Sequence, residues 1–194
     1  KNCVSSHRNA LRSIFGIEVK EKSNKTKFLP LVSNLKDSLE KELNDLCHRM
    51  LDLIDSQLFI KASNDESKVY YMKLKGDYFR YLAECMTDKD NKEIAEQSMN
   101  AYKEASKLAQ NIPCTNSIKL GLALNFSVFY YEVMNDPGTA CKIASAAFDE
   151  AINQLEKLDD EQFKDSSGIL QLLKENIDMW KNDGQEEDED AKDE

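Results

Sequence analysis

The chain has 194 residues, a formal charge of −10, 41% hydrophobic residues, six glycines, three prolines and five cysteines. That length suffices for one domain with a substantial core, and so little Gly/Pro punctuation favours helices over strand-and-turn architectures. The charge is uneven. Residues 183–194 hold eight acidic groups against one lysine, leaving a body of about −3 that offers no broad basic surface for nucleic acid. Cys3, Cys47, Cys85, Cys114 and Cys141 are dispersed and odd in number, which reads as reduced thiols rather than a disulfide framework. Cys47 and His48 are adjacent, so on a helix they point about 100° apart and cannot chelate one ion together. No metal, cofactor or signal peptide is expected, and the longest apolar stretch, 121–134, is too short and polar to span a bilayer.

Hydrophobic periodicity predicts seven helices in chain order. The first covers 1–21, carrying Gly16 within its apolar face at a cost of about 1 kcal/mol. A polar link at 23–27 leads to a long helix over 29–60, with Leu35, Leu39, Leu43, Leu46, Met50, Leu53 and Leu58 on one stripe. A capped start near Asn64 opens a helix over 66–86. A turn precedes the next helix, 92–110, which stops before Pro113. The most apolar helix, 117–134, is expected at the centre. Asn135-Asp136-Pro137-Gly138 then forms a turn, and two further helices cover 139–158 and 161–181. The expectation is an all-α, antiparallel helical bundle or cup forming one domain over 1–182, followed by a disordered acidic segment over 183–194. That segment either maintains solubility or competes weakly for a basic groove.

Two basic stripes stand out in this acidic chain. Lys1, Arg8 and Arg12 share one helical face, and like charges there repel unless an anion or an acidic neighbour compensates. The second stripe lies in KGDYFRYLAE, residues 75–84, which sets Arg80 beside Tyr81 in an apolar helical pattern. Cations beside a phenol suit a phosphate monoester, which has nearly two charges and three strong acceptors. The alternatives are a solvated basic face for the first stripe and helical ion pairs among Lys73, Asp77, Arg80 and Glu84 for the second. Tyr81 alone reads more often as a core tyrosine with a satisfied hydroxyl. Asn125 lies in an apolar helix, and Asn176 shares a face with Ile169, Leu172, Leu173 and Trp180. Each amide either joins two helices or pairs with the main chain of a bound extended peptide.

KGDYFRYLAE at 75–84, LGLALNFSVFYYE at 120–132, AFDEAI at 147–152, KDSS at 164–167 and QLLKEN at 171–176, followed by Trp180, resemble the hallmark segments of the 14-3-3 family. The resemblance covers essentially the whole chain. It implies an all-helical cup whose amphipathic groove binds phosphoserine or phosphothreonine in client proteins, an adaptor without catalytic activity, in the cytoplasm and with the nucleus also open. By resemblance Lys1, Arg8, Arg80 and the Tyr81 hydroxyl hold the phosphate. Lys73, Asn125 and Asn176 contact the peptide main chain, and Glu132 and Trp180 help to hold the peptide. Leu124, Val128, Ile169 and Leu172 form an apolar wall, and Arg12 supports the pocket.

Three departures modify that expectation. The family's first two helices, which carry much of its dimer interface, have no counterpart here. Leu35 and Ser38 stand where the family usually has a tyrosine and a lysine. A homodimer is typical of the family, and these changes argue against one for this chain. Gly168 replaces an apolar groove residue and should leave one wall shallow. The competing function is a helical scaffold or holdase with weakened or lost phosphate dependence. No nucleophile–base pair or P-loop suggests an enzyme.

Overall fold

The computed structural model describes residues 2–24, 27–85 and 89–190, side chains excepted at 89, 90 and 184–190. Lys1 therefore lies outside the described residues. Among those described there are seven α-helices and no strand: α1 (Asn2–Asn24), α2 (Leu29–Leu53), α3 (Asp65–Cys85), α4 (Lys89–Leu108), α5 (Ser117–Glu132), α6 (Pro137–Ile152) and α7 (Asp160–Asp190). The all-α reading and the number and order of helices hold.

The differences lie at the ends. Instead of continuing to residue 60, α2 passes into a π turn over Ile54–Leu58, closed by the Phe59 N–H donating to the Ile54 carbonyl at 2.9 Å. Ile54 is fully buried there, so the apolar stripe survives while the hydrogen-bond period changes. The Asp-Pro pair that reads as a turn also starts a helix. Asp136 caps α6, its Oδ1 accepting from the Thr139 N–H at 2.8 Å, and Pro137 takes the first helical position, where no donor is missed. Asn135 makes the reversal at φ 51°. α6 stops at Ile152, six residues before the sequence-based end, because a 3-10 turn over Leu155–Lys157 keeps the apolar spacing without the α-helical ladder. α7 runs on to Asp190.

Three apolar clusters build the interior, each closed by consecutive helices. Leu11, Leu43, Cys47, Leu51, Tyr78 and Leu82 join α1, α2 and α3. Val69, Tyr102, Ala105, Phe126 and Phe129 join α3, α4 and α5. Leu120, Ala140, Ala144, Leu173, Ile177 and Trp180 join α5, α6 and α7. α3 and α5 each contribute to two clusters, so both are held from two sides. The residues of interest lie on these two helices and on α1 and α7.

Candidate functional site

Arg8 of α1 and Arg80 of α3 converge on one carboxylate. Arg8 donates from Nε at 3.1 Å and from Nη2 at 2.7 Å to Oε2 of Glu84, and Arg80 donates from Nη1 to its Oε1 at 2.8 Å. Arg80 Nη1 also reaches Glu132 of α5 at 3.3 Å, and Arg12 bridges Glu84 and Glu132 at 3.7 Å each. Three guanidinium groups thus face two carboxylates, a local surplus of one positive charge. Both arginines lie over the Tyr81 ring, Arg8 with Cζ 3.9 Å and Arg80 with Cζ 4.9 Å from its centroid. A cavity of about 250 Å³ opens beside them, lined by Arg8, Leu11, Arg12, Phe15, Glu84, Cys85 and Glu132.

Burial tunes these groups. Arg80 is 5% exposed. Desolvation alone would lower its pKa, but Tyr102, Glu84 and Asp77 outweigh it, and the guanidinium stays charged. Burial and then the Asp77 charge push the Tyr81 phenol above its usual pKa, against the two arginines, so its hydroxyl keeps its proton and can donate. Burial, followed by repulsion from Glu84, raises the Glu132 carboxyl against the pull of Arg80 and Arg12.

A second polar group centres on Asp77, which is 2% exposed. Its Oδ2 accepts from Lys73 Nζ at 2.9 Å; its Oδ1 accepts from the Tyr102 hydroxyl at 2.6 Å and from Asn125 Nδ2 at 2.7 Å. The Tyr102 oxygen in turn accepts from Arg80 Nε at 3.3 Å. Lys73 and Asn125 are therefore gathered by one buried carboxylate, which also links to Arg80. Periodicity alone reveals neither Tyr102 in this role nor Glu84 as a partner of Arg8, because the pairs span 25 and 76 residues.

The apolar candidates flank this polar strip. Leu124, Val128 and Ile169 are half-buried against the core of Leu120, Leu170, Leu173 and Trp180, whereas Leu172 is 49% exposed. Asn176 is half-buried on α7. Trp180 is only 2% exposed and stacks on Tyr131 with ring centroids 5.0 Å apart, so it lies beneath the surface rather than on it. Its indole Nε1 has no hydrogen-bond partner among the described residues. A Cβ at Gly168 would meet nothing within 4 Å, so the surface beside Leu172 is open there.

Among the described residues no cluster of three or more His, Cys, Asp or Glu is placed to hold a metal, and no helix is long and apolar enough to cross a membrane. The family model described as "14-3-3 protein" matches residues 1–181. The chain belongs to the 14-3-3 family. It is 45% identical over 183 residues to 14-3-3 protein homolog 1 of Schistosoma mansoni, covering 94% of this chain and 72% of that protein. It is 47% identical to 14-3-3 protein epsilon of Drosophila melanogaster over 192 residues, 98% of this chain and 73% of that one. With 14-3-3 protein theta of Mus musculus the identity is 46% over 192 residues, 98% and 78% of the two chains. 14-3-3 proteins are phosphopeptide-binding adaptors rather than enzymes.

Proposed function

We propose that this 14-3-3 chain binds extended segments of client proteins at phosphoserine or phosphothreonine and regulates the clients by masking or sequestering them. The observation that carries the reading is the meeting of Arg8 and Arg80, from separate helices, at Glu84 and over the face of Tyr81. Among the described residues, Nη1 of Arg8 and Nη2 of Arg80 make no hydrogen bond, so each guanidinium keeps donors for an incoming anion while Glu84 fixes its other edge. Charge-assisted bonds of this kind contribute on the order of 1.5–3 kcal/mol each, and a peptide without the phosphoryl group forfeits them. Lys1 would add a further cation. Asn125 and Asn176 would pair with the peptide main chain, and Leu124, Val128, Ile169 and Leu172 would receive its side chains. Trp180, seated below Tyr131, would support that wall rather than form its surface.

Fluorescence anisotropy with one labelled peptide in phosphorylated and unphosphorylated forms tests the reading. The phosphorylated form should bind at least about a hundredfold more tightly, the equivalent of roughly two such bonds. Equal affinity would instead favour a scaffold or holdase whose groove no longer reads phosphate.

The wall at Gly168 offers an independent check on which face is used. Gly168→Leu places a side chain in open space next to Leu172, so it should raise the melting temperature through helix propensity, worth about 1 kcal/mol. It should also tighten a phosphopeptide carrying an apolar residue beside the phosphoserine by about fivefold, from roughly 1 kcal/mol of extra burial. A higher melting temperature with unaltered affinity would place the peptide elsewhere.

A further inference from the structure

Asp77 is a buried carboxylate whose three partners, Lys73, Tyr102 and Asn125, come from three different helices. A helical ion pair with Lys73 would need none of the other two. We propose that Asp77 is a positioning residue that sets the hydrogen-bonding sense of the groove: it holds Asn125 with its amide NH2 turned inward and its carbonyl outward, and it aims Lys73. The inference rests on the phosphopeptide reading above and adds which way round the peptide main chain is read.

The reason is the chemistry of an ionised carboxylate, which only accepts. Facing it, Asn125 has one choice: Nδ2 must point at Asp77, which it does at 2.7 Å, and Oδ1 is left for a peptide N–H. Lys73 spends one of its three N–H donors on Oδ2 at 2.9 Å and keeps two for peptide carbonyls. Tyr102 closes the unit. Its hydroxyl gives its proton to Oδ1 and accepts from Arg80 Nε, so the same carboxylate sets the roll of the guanidinium that would hold phosphate. The main-chain contacts and the phosphate contact are thereby tied to one buried anchor.

Asp77→Asn keeps the shape and breaks this logic. An amide presents one acceptor and one donor edge. With its oxygen towards Tyr102 and Asn125, its NH2 confronts the Lys73 ammonium; turned over, it confronts the Tyr102 proton and lets Asn125 flip. Either way a groove residue is mis-set. The labelled phosphopeptide should bind about tenfold more weakly, the loss of about one hydrogen bond. The discriminating measurement is the same substitution in a Lys73→Met, Asn125→Ala, Tyr102→Phe background, where its cost should fall below about twofold because no groove residue remains tied to it. A general loosening of the fold would carry over undiminished. Unchanged affinity for Asp77→Asn, or the same tenfold loss in the altered background, overturns the proposal.

Should Asp77→Asn fail to fold by circular dichroism, the wild-type and Asn125→Ala proteins still test the outward carbonyl. Phosphopeptides in which single backbone amides are replaced by esters lose one N–H at a time. One position should lose affinity in the wild type and be insensitive in Asn125→Ala. An identical ester profile in both proteins overturns the outward carbonyl. If the wild type does not prefer the phosphopeptide at all, the failure lies with the proposed function, and the phosphorylated/unphosphorylated comparison shows this before any variant is made.

Discussion

Arg80→Lys should weaken phosphopeptide binding by at least about tenfold although it preserves the charge. The native guanidinium serves Tyr102 through Nε and both Glu84 and Glu132 through Nη1, and on the proposed reading its Nη2 takes the phosphate. An ammonium is a single point with three donors and cannot span that set of partners, so either the ligand or the internal scaffold loses its bond. Arg80→Glu should be more severe. It removes the cation and adds a third carboxylate to Glu84 and Glu132 in a site where Arg80 was 5% exposed. Breaking a buried pair costs about 3–5 kcal/mol, and in a chain of this size each kcal/mol moves the melting temperature by roughly 2–4 °C. Binding should be undetectable and the thermal transition lowered by roughly 6–20 °C. Arg80→Lys within twofold of wild type in anisotropy, with an unchanged transition, would mean that phosphate is held elsewhere.

The helices were legible because their stripes are long. In α2 the leucines recur at helical steps for over 20 residues, and α5 is too apolar to lie anywhere but between other helices. Ends were less legible where an apolar stripe outlasts the α-helical ladder, as at Ile54 and Leu155. A π turn and a 3-10 turn preserve the spacing of buried groups there while changing the hydrogen bonds. For the polar cluster, periodicity could show that Arg8 and Arg12 share a face and that Arg80 can reach Glu84. It could not show that Arg8 reaches the same Glu84, because that depends on how α1 packs on α3. Resemblance to the family supplied the candidate site residues as a set, Glu132 among them, but not Glu84 or Asp77. Glu84 reads as one more helical ion-pair partner and Asp77 as another, whereas the fold makes each a meeting point for residues of several helices.

Gly76→Ala should destabilise the protein, against the usual gain from removing a helical glycine. A Cβ on Gly76 would stand 2.8 Å from two carbons of the Tyr102 ring and 3.0 Å from a third. That ring cannot easily retreat. It is fully buried and stacks on Phe126 at 5.2 Å, and its hydroxyl is held between Asp77 and Arg80. Moving the helices apart would strain the bond from Ser98 Oγ to the Gly76 carbonyl, 2.9 Å long, which ties α4 to α3 at the same level. Overpacking of this kind costs about 1–3 kcal/mol, which offsets or exceeds the roughly 1 kcal/mol that alanine contributes to an exposed helix. The melting temperature should fall by up to about 8 °C in a chain of this length. Because Tyr102 must shift, phosphopeptide affinity should fall too, through the hydroxyl that links Asp77 to Arg80. Adding Tyr102→Ala removes the atoms that clash, so the two substitutions should destabilise by less together than their separate effects sum to. Strict additivity in thermal denaturation, or a more stable Gly76→Ala protein, would mean that the close approach of α3 and α4 does not hold Tyr102 in place.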